Sequence, residues 1–145
     1  MNIYEEIFAK ESDKIEGEKY NPQHLVSLQR ILYNDLDEEI LLNAHKLFAP
    51  CEKWSGKYRD VNVSIGGEIA PSPALVKELM HNWFLDLPKM DSYEAHVRFE
   101  KIHPFQDGNG RIGRAVWLKK ALNEGYDYRI SFLHQFYYQV LSNSK

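Results

Sequence analysis

Cysteine is almost absent. Cys51 stands alone in 145 residues, which excludes an intrachain disulfide and removes any sign of an oxidising compartment. No Lys/Arg run exceeds a pair and the net charge is −3. The positive field of a nucleic-acid binder is therefore missing, and no nucleic-acid partner is expected. No stretch approaches the ~20 apolar residues of a membrane span. The first residues, MNIYEEIFAKESDK, carry acid where a signal peptide would carry base. No membrane contact and a cytoplasmic location are the expectations. Internal repeats and low-complexity linkers are lacking too. What remains, 43% hydrophobic and 27% charged, is globular usage for one domain, residues 1–145, around a single core.

Helical periodicity dominates. Ile3, Ile7 and Ile15 recur at multiples of four with Phe8 beside them, describing one helix face up to about Glu16, with Gly17 as a stop. Asn21-Pro22 reads as cap and first turn of a second helix carrying Leu25, Leu28, Ile31, Leu32 and Leu36. Asp37 caps a third, running to Phe48 before Ala49-Pro50. From Tyr58 to Ile65 apolar and polar residues alternate, Gly66-Gly67 interrupts, and Glu68-Ile69-Ala70 follows. That pattern predicts a β-hairpin over 58–71, the one β-element of the chain. Being marginal alone, it must rest on the helical body or on a partner. Ser72-Pro73 opens a helix with Val76, Leu79, Met80 and Trp83 inward. Asp91 and Glu94 have capping-box spacing for another, with Val97, Phe99 and Ile102. A glycine-rich stretch then leads into a helix bearing Ala115, Val116, Leu118 and Leu122, and Phe132 to Leu141 is a final aromatic-rich segment. The fold class expected is mainly α, a helical bundle with one hairpin laid against it.

The chemistry concentrates in His103 to Arg114, HPFQDGNGRIGR. Gly108, Asn109 and Gly110 precede an apolar-periodic helix, so their backbone N–H groups lie at its positive end, where phosphate oxygens can come close. Arg111 and Arg114, three apart, share the first helical turn. Two guanidinium forks suit a polyphosphate better than a single phosphate. Asp107 offers a hard oxygen ligand for Mg²⁺, which takes one carboxylate and keeps most of its waters. His103 is placed to accept the proton of an incoming hydroxyl. The remaining histidines, His24, His45, His81, His96 and His134, lack zinc-ligand spacing and read as structural or solvated. Trp54, Trp83 and Trp117 read as core.

This stretch resembles the signature of the Fic family (filamentation induced by cAMP), HxFx(D/E)GNGRxxR, at all of its specified positions. The resemblance implies a protein adenylyltransferase of the Fic fold that uses ATP with Mg²⁺. His103 would be the general base for a Ser, Thr or Tyr hydroxyl, and Asp107 would hold the metal. Gly108, Asn109 and Gly110 would cradle the α-phosphate, while Arg111 to Arg114, with Ile112 and Gly113 between, would line the β- and γ-phosphates. The segment YRDVNVSIGGEIAPSP is similar to the family's flap, which implies a target protein docked by backbone pairing near Asn62 to Ile65. Ile65, Gly66, Gly67 and Glu68 would lie nearest the nucleotide. The structural alternative is a hairpin that only covers the core.

Ser12 to Gly17, SDKIEG, resembles the family's inhibitory motif of a Ser/Thr, three unspecified residues, Glu, and Gly or Asn. The implied brake, residues 1–20, sets Glu16 on Arg114 in place of the γ-phosphate. In some members the same glutamate positions a water that removes AMP, so de-AMPylation shares the site. Phe136-Tyr137-Tyr138 resembles the tyrosine pair bordering adenine; core packing is the alternative for it. Asn143 is the tentative equivalent of an asparagine near the base. The Doc branch, a phosphotransferase, carries lysine at the position of Gly110, which argues against that chemistry here. A nucleotide-binding regulatory or toxin-like module without turnover is the non-enzymatic alternative, and a homo-oligomer is allowed.

Overall fold

The computed structural model of the chain describes residues 3–126. Its organising element is the last described helix, α6 (Asn109–Asn123), which is buried on every side: Ile112, Ala115, Val116, Leu118 and Ala121 are core. A helix enclosed all round shows no single apolar stripe, which is why periodicity alone singled out only part of its buried set. Around it lie α1 (Ile3–Ile15), α2 (Pro22–Leu32), α3 (Glu38–Phe48), α4 (Pro73–Asp86) and α5 (Ser92–Ile102). α2 packs on α3 and α6, α5 on α4 and α6, and α1 on α2 and α6. The architecture is the expected mainly helical bundle with one small hairpin.

Local chemistry sets the boundaries. The Asn21 side chain accepts from the Gln23 N–H at 3.0 Å with Pro22 in the first turn. Asp37 accepts from Ile40 N–H and Asp91 from Glu94 N–H, each at 2.8 Å. All three are N-caps that satisfy donors left over at a helix start. A 3-10 turn, Leu87–Lys89, joins α4 to α5. Val76, Met80 and Trp83 are fully inside, and the Trp83 indole donates to the Ala95 carbonyl at 3.0 Å. Val97, by contrast, is only half-buried; Ala95 and His96 share the inner face of α5 with Phe99 and Ile102. No helix among the described residues is long and apolar enough to cross a membrane.

Two expectations change. Of the expected face of α1, Phe8 is buried and Ile15 packs against the core, but Ile3 is 65% and Ile7 38% exposed; Glu5, Ala9, Ser12 and Asp13 are buried instead. The inward side chains keep helical spacing, but several are polar because they meet polar partners on α2 and the arginines of α6. The hairpin is also shorter than its alternation suggests. Strand pairing covers Ser64–Ile65 (β1) and Glu68–Ile69 (β2), with Ala70 N–H donating to the Val63 carbonyl at 2.9 Å. Gly66 and Gly67 have φ of 55° and 89°, as a two-residue turn of positive φ requires. Tyr58 and Arg59 leave the ladder because their polar groups bind elsewhere. The Tyr58 hydroxyl donates to Glu38 at 2.9 Å, and Arg59 N–H donates to the Pro104 carbonyl at 2.9 Å. Phe132 to Leu141, with Tyr137 and Tyr138, lies outside the described residues, as do His134 and Asn143.

The reassigned face of α1 is directly measurable. Phe8→Ala should cost about 3–5 kcal/mol, while Ile3→Ala should stay within about 0.5 kcal/mol. Urea unfolding of both variants checks it, and equal losses would restore the isoleucine face.

Candidate functional site

α5 ends on His103, whose φ of 52° and ψ of 63° are left-handed and uncommon for a residue with a Cβ. Its N–H donates to the Phe99 carbonyl at 3.0 Å. Ring Nδ1 lies 3.1 Å from the Glu100 carbonyl. A carbonyl can only accept, so Nδ1 carries the proton and the neutral ring keeps Nε2 as its basic nitrogen. Burial pulls the imidazole below its ordinary 6.5; the Glu100 hydrogen bond opposes this, the Arg59 charge adds to it, and Glu16 opposes.

The loop after His103 is fixed from both sides. Phe105 is fully buried and stacks on His45, ring centroids 3.7 Å apart at 11°. His45 Nε2–H donates to the Asp107 carbonyl at 2.9 Å, while its Nδ1 accepts from Gly56 N–H at 2.9 Å. Burial holds His45 down to about 4, against the raising effect of that carbonyl, so it is neutral at pH 7. The Asn109 side chain spans Phe105, accepting from its N–H at 2.8 Å and donating to its carbonyl at 2.7 Å. In this arrangement Asn109 shapes the loop. Gly108, φ 85°, caps α6, and a Cβ there would sit 2.9 Å from the Phe48 ring. Its N–H donates to Asp107 Oδ1 at 2.8 Å.

The two arginines of α6 meet two carboxylates, Asp13 on α1 and Glu16 just past its end. Arg114, 1% exposed, donates from Nε to Ser12 Oγ at 2.7 Å, and from Nη2 to the Ser12 carbonyl and Glu16 Oε2, both at 3.1 Å. Arg111 reaches Asp13 Oδ1 at 3.3 Å and lies over the Phe48 ring, 4.4 Å from its centroid. Asp13 also accepts from His24 Nδ1–H at 2.9 Å and Asn21 N–H at 3.1 Å. Burial pushes Asp13 up, but His24, the Asn21 N–H and Arg111 outweigh it, so the carboxyl stays below its ordinary value. Burial holds His24 neutral despite Asp13. The positive partner of Asp13 is thus Arg111, with His24 acting as a neutral donor. His96 similarly serves structure, its Nδ1–H donating to the Gly113 carbonyl at 2.9 Å.

Between these elements lies a cavity of ≈ 280 Å³, lined by Ile15, Glu16, Glu100, His103, Gln106, Asp107, Gly108, Asn109, Gly110 and Arg114. Of the expected residues it brings together Glu16, His103, Asp107, Gly108, Asn109, Gly110 and Arg114. Ile112 is instead core, and Gly113 faces α5, where an added Cβ would fall 2.0 Å from Glu100 Oε1. Arg111 stands outside the lining beside Asp13, as do Ile65, Gly66, Gly67 and Glu68 of the hairpin. Gly17, φ 71°, ends α1. Sequence reading missed Glu100: burial, opposed by Arg114 and aided by Glu16, raises its carboxyl to about 8, so it is largely protonated at pH 7. No local pattern signals it, because its state depends on enclosure beside Gly113 and Arg114. It also missed Asp13 and Arg59, whose partners are distant in the chain.

A model of the Fic/DOC family matches residues 19–119, which includes the loop and most of α6 but not Ser12 or Glu16. Protein adenylyltransferase Fic of Culex quinquefasciatus is 35% identical over 80 residues, covering 49% of this chain and 16% of that protein. A probable protein adenylyltransferase of Aquifex aeolicus is 32% identical over 126 residues, covering 74% of this chain and 39% of the relative. The chain therefore spans well under half the length of these curated relatives. A Fic family protein from Desulfovibrio desulfuricans aligns with a TM-score of 0.71 at 24% identity, over 98% of this chain and 57% of that one. A Fic-domain signaling protein of Bacteroides thetaiotaomicron aligns at 0.66, with 20% identity over 89% and 69% of the two chains; both show likeness of fold. With its signature loop at the start of a buried helix and the family match across residues 19–119, this chain belongs to the Fic/DOC family.

Proposed function

We propose that this domain transfers AMP from ATP to a Ser, Thr or Tyr hydroxyl of a target protein and is held back by Glu16. The observation that carries the reading is the shared cavity of His103, the first turn of α6 and Arg114, with Arg114 bound to Glu16. Relatives named protein adenylyltransferase support it.

In this reading the hydroxyl oxygen forms a bond to the α-phosphorus as the bond from that phosphorus to the α,β-bridging oxygen breaks. The hydroxyl proton goes to His103 Nε2 and pyrophosphate departs. The N–H groups at the start of α6 and the arginines offset charge on the phosphates, so alignment and neutralisation do most of the work. Among the described residues no three His, Cys, Asp or Glu side chains group around a metal position. A lone carboxylate, Asp107, nonetheless suits Mg²⁺, which completes its shell with substrate phosphates and water. That ion would supply charge neutralisation at the phosphates.

Glu16 acts as the brake because one guanidinium cannot serve it and a phosphate equally. The cavity also falls just below the roughly 300–1,000 Å³ of ligand sites, and Ile15 and Glu16 form part of its wall. Removing the carboxylate should admit the nucleotide. Hydrolytic AMP removal, in which water bonds to the phosphorus as the target hydroxyl leaves and AMP is released, would use the same residues.

With ATP labelled at the α-position, Glu16→Gly should modify itself at least ten-fold faster than wild type, and His103→Ala in that background should lose at least about 100-fold. Equal rates in wild type and Glu16→Gly would refute the brake. γ-Label on protein would mean phosphotransfer, and no label in any variant would mean binding alone.

The depressed His103 pKa sets the pH dependence. The base form persists as pH falls, so the acid limb of the Glu16→Gly labelling rate should have its midpoint below the ordinary 6.5. A midpoint at or above 6.5 in single-turnover rates would exclude this environment for the base.

We further propose that the target docks by backbone pairing along Asn62 to Ile65, an assignment that rests on the AMP-transfer reading. Val63→Pro removes one N–H and should abolish target modification while nucleotide binding persists. Unchanged target labelling would refute docking there.

A further inference from the structure

Arg59 is 4% exposed, yet every hydrogen-bond partner of its guanidinium among the described residues is a backbone carbonyl. Nε donates to the His103 carbonyl at 2.6 Å, and Nη2 to those of Ile102 at 3.2 Å and Pro71 at 2.6 Å. Nη1 donates to Val61 at 3.0 Å, and the Arg59 N–H to Pro104 at 2.9 Å. These carbonyls fall into two groups. Those of Ile102 and His103 are end-of-helix acceptors that α5 itself cannot satisfy. Those of Val61 and Pro71 flank the hairpin on its two sides.

One rigid plane therefore joins both legs of the hairpin to the backbone of His103. The connection matters at that residue because its left-handed backbone directs the imidazole into the cavity, with Nδ1–H on the Glu100 carbonyl. A shift of the His103 peptide would turn the ring. The guanidinium also lies at the negative end of the α5 dipole, an arrangement that favours a cation. Its charge is close enough to disfavour a second proton on the imidazole. Lysine could supply that charge but not the planar fork that reaches divergent carbonyls.

We propose that Arg59 is a positioning residue for His103, transmitting the position of the hairpin to the base. Its effect on rate rests on the AMP-transfer reading; its effect on the His103 ring does not. The geometry makes two separable demands. The fork fixes the ring's orientation and tautomer, and the charge adds to the burial that already disfavours the imidazolium.

The test places Arg59→Lys and Arg59→Gln in the Glu16→Gly background. Three properties are read: the His103 tautomer and titration by ¹⁵N NMR, self-modification with α-labelled ATP, and affinity for an ATP analogue with a non-cleavable α,β bridge. Arg59→Lys should lose the Nδ1–H preference and at least ten-fold in labelling, with the titration midpoint unmoved. Arg59→Gln should show the same losses with the midpoint raised. Both should bind the analogue within three-fold of the parent. An unchanged tautomer in both variants would overturn the proposal, as would a labelling loss matched by an equal loss of analogue binding. Absence of label in Glu16→Gly itself would refute AMP transfer, and the ring spectra would still decide the role of Arg59.

Discussion

A guanidinium inside a protein needs acceptors around it, and Arg114 sits at the centre of this fold with 1% of its surface exposed. Taking such a charge out of water without partners costs far more than a domain of this size can offset. α1 brings those partners. Ser12 supplies a hydroxyl and a carbonyl, and Glu16 supplies the countercharge. The docking of the first helix thus follows from the need of an arginine about a hundred residues away in the chain. In the proposed function the same pairing would divide Arg114 between structure and ligand, because a bound phosphate would compete with the carboxylate. Glu16 itself is partly exposed, so its share of the pairing is screened and exchangeable, whereas Ser12 is buried and stays with the fold.

A second constraint is the loop between α5 and α6. Six residues must turn the chain, present N–H groups at the start of α6 and keep a basic nitrogen facing the cavity. Each task has its own fastening: Asn109 on the Phe105 backbone, His45 on Asp107, and the Glu100 carbonyl on His103 Nδ1. Two of these fastenings are neutral histidine or amide groups, which hold their geometry without adding charge to a cavity already lined by Glu16, Asp107 and Arg114. Buried polar groups of this kind are costly unless satisfied and rigid when they are. The loop is therefore a fixed element of the site.

Legibility in the sequence followed the range of each interaction. Helix caps at Asn21, Asp37 and Asp91 depend on residues two or three positions away, and all were readable. The placement of His103 to Arg114 on one loop and one helical turn was readable as well, since it follows from residue types and spacings. The α1 face was misjudged because apolar spacing cannot show that a helix turns Ser12 and Asp13 toward arginines on α6. The hairpin was overextended because the alternation from Tyr58 looks like a half-exposed strand, while Arg59 is in fact spent on carbonyls at the end of α5. Glu100 carried no sign of its raised pKa, which depends on enclosure beside Gly113 and Arg114.

The sequence by itself determined the helical class, the glycine-rich loop that opens α6 with His103 ahead of it, and the pairing of Glu16 with Arg114 through a motif at the front of the chain. Each of these depends on residue identity at fixed short spacing, and backbone geometry turns such spacing into position. Only the tertiary structure decided which faces are buried and which nitrogen of His103 is basic. It also decided that Arg111 meets Asp13 and that Arg59 holds the loop. Those outcomes depend on burial and on partners far apart in sequence, where desolvation makes a hydrogen bond strong and no local pattern records it.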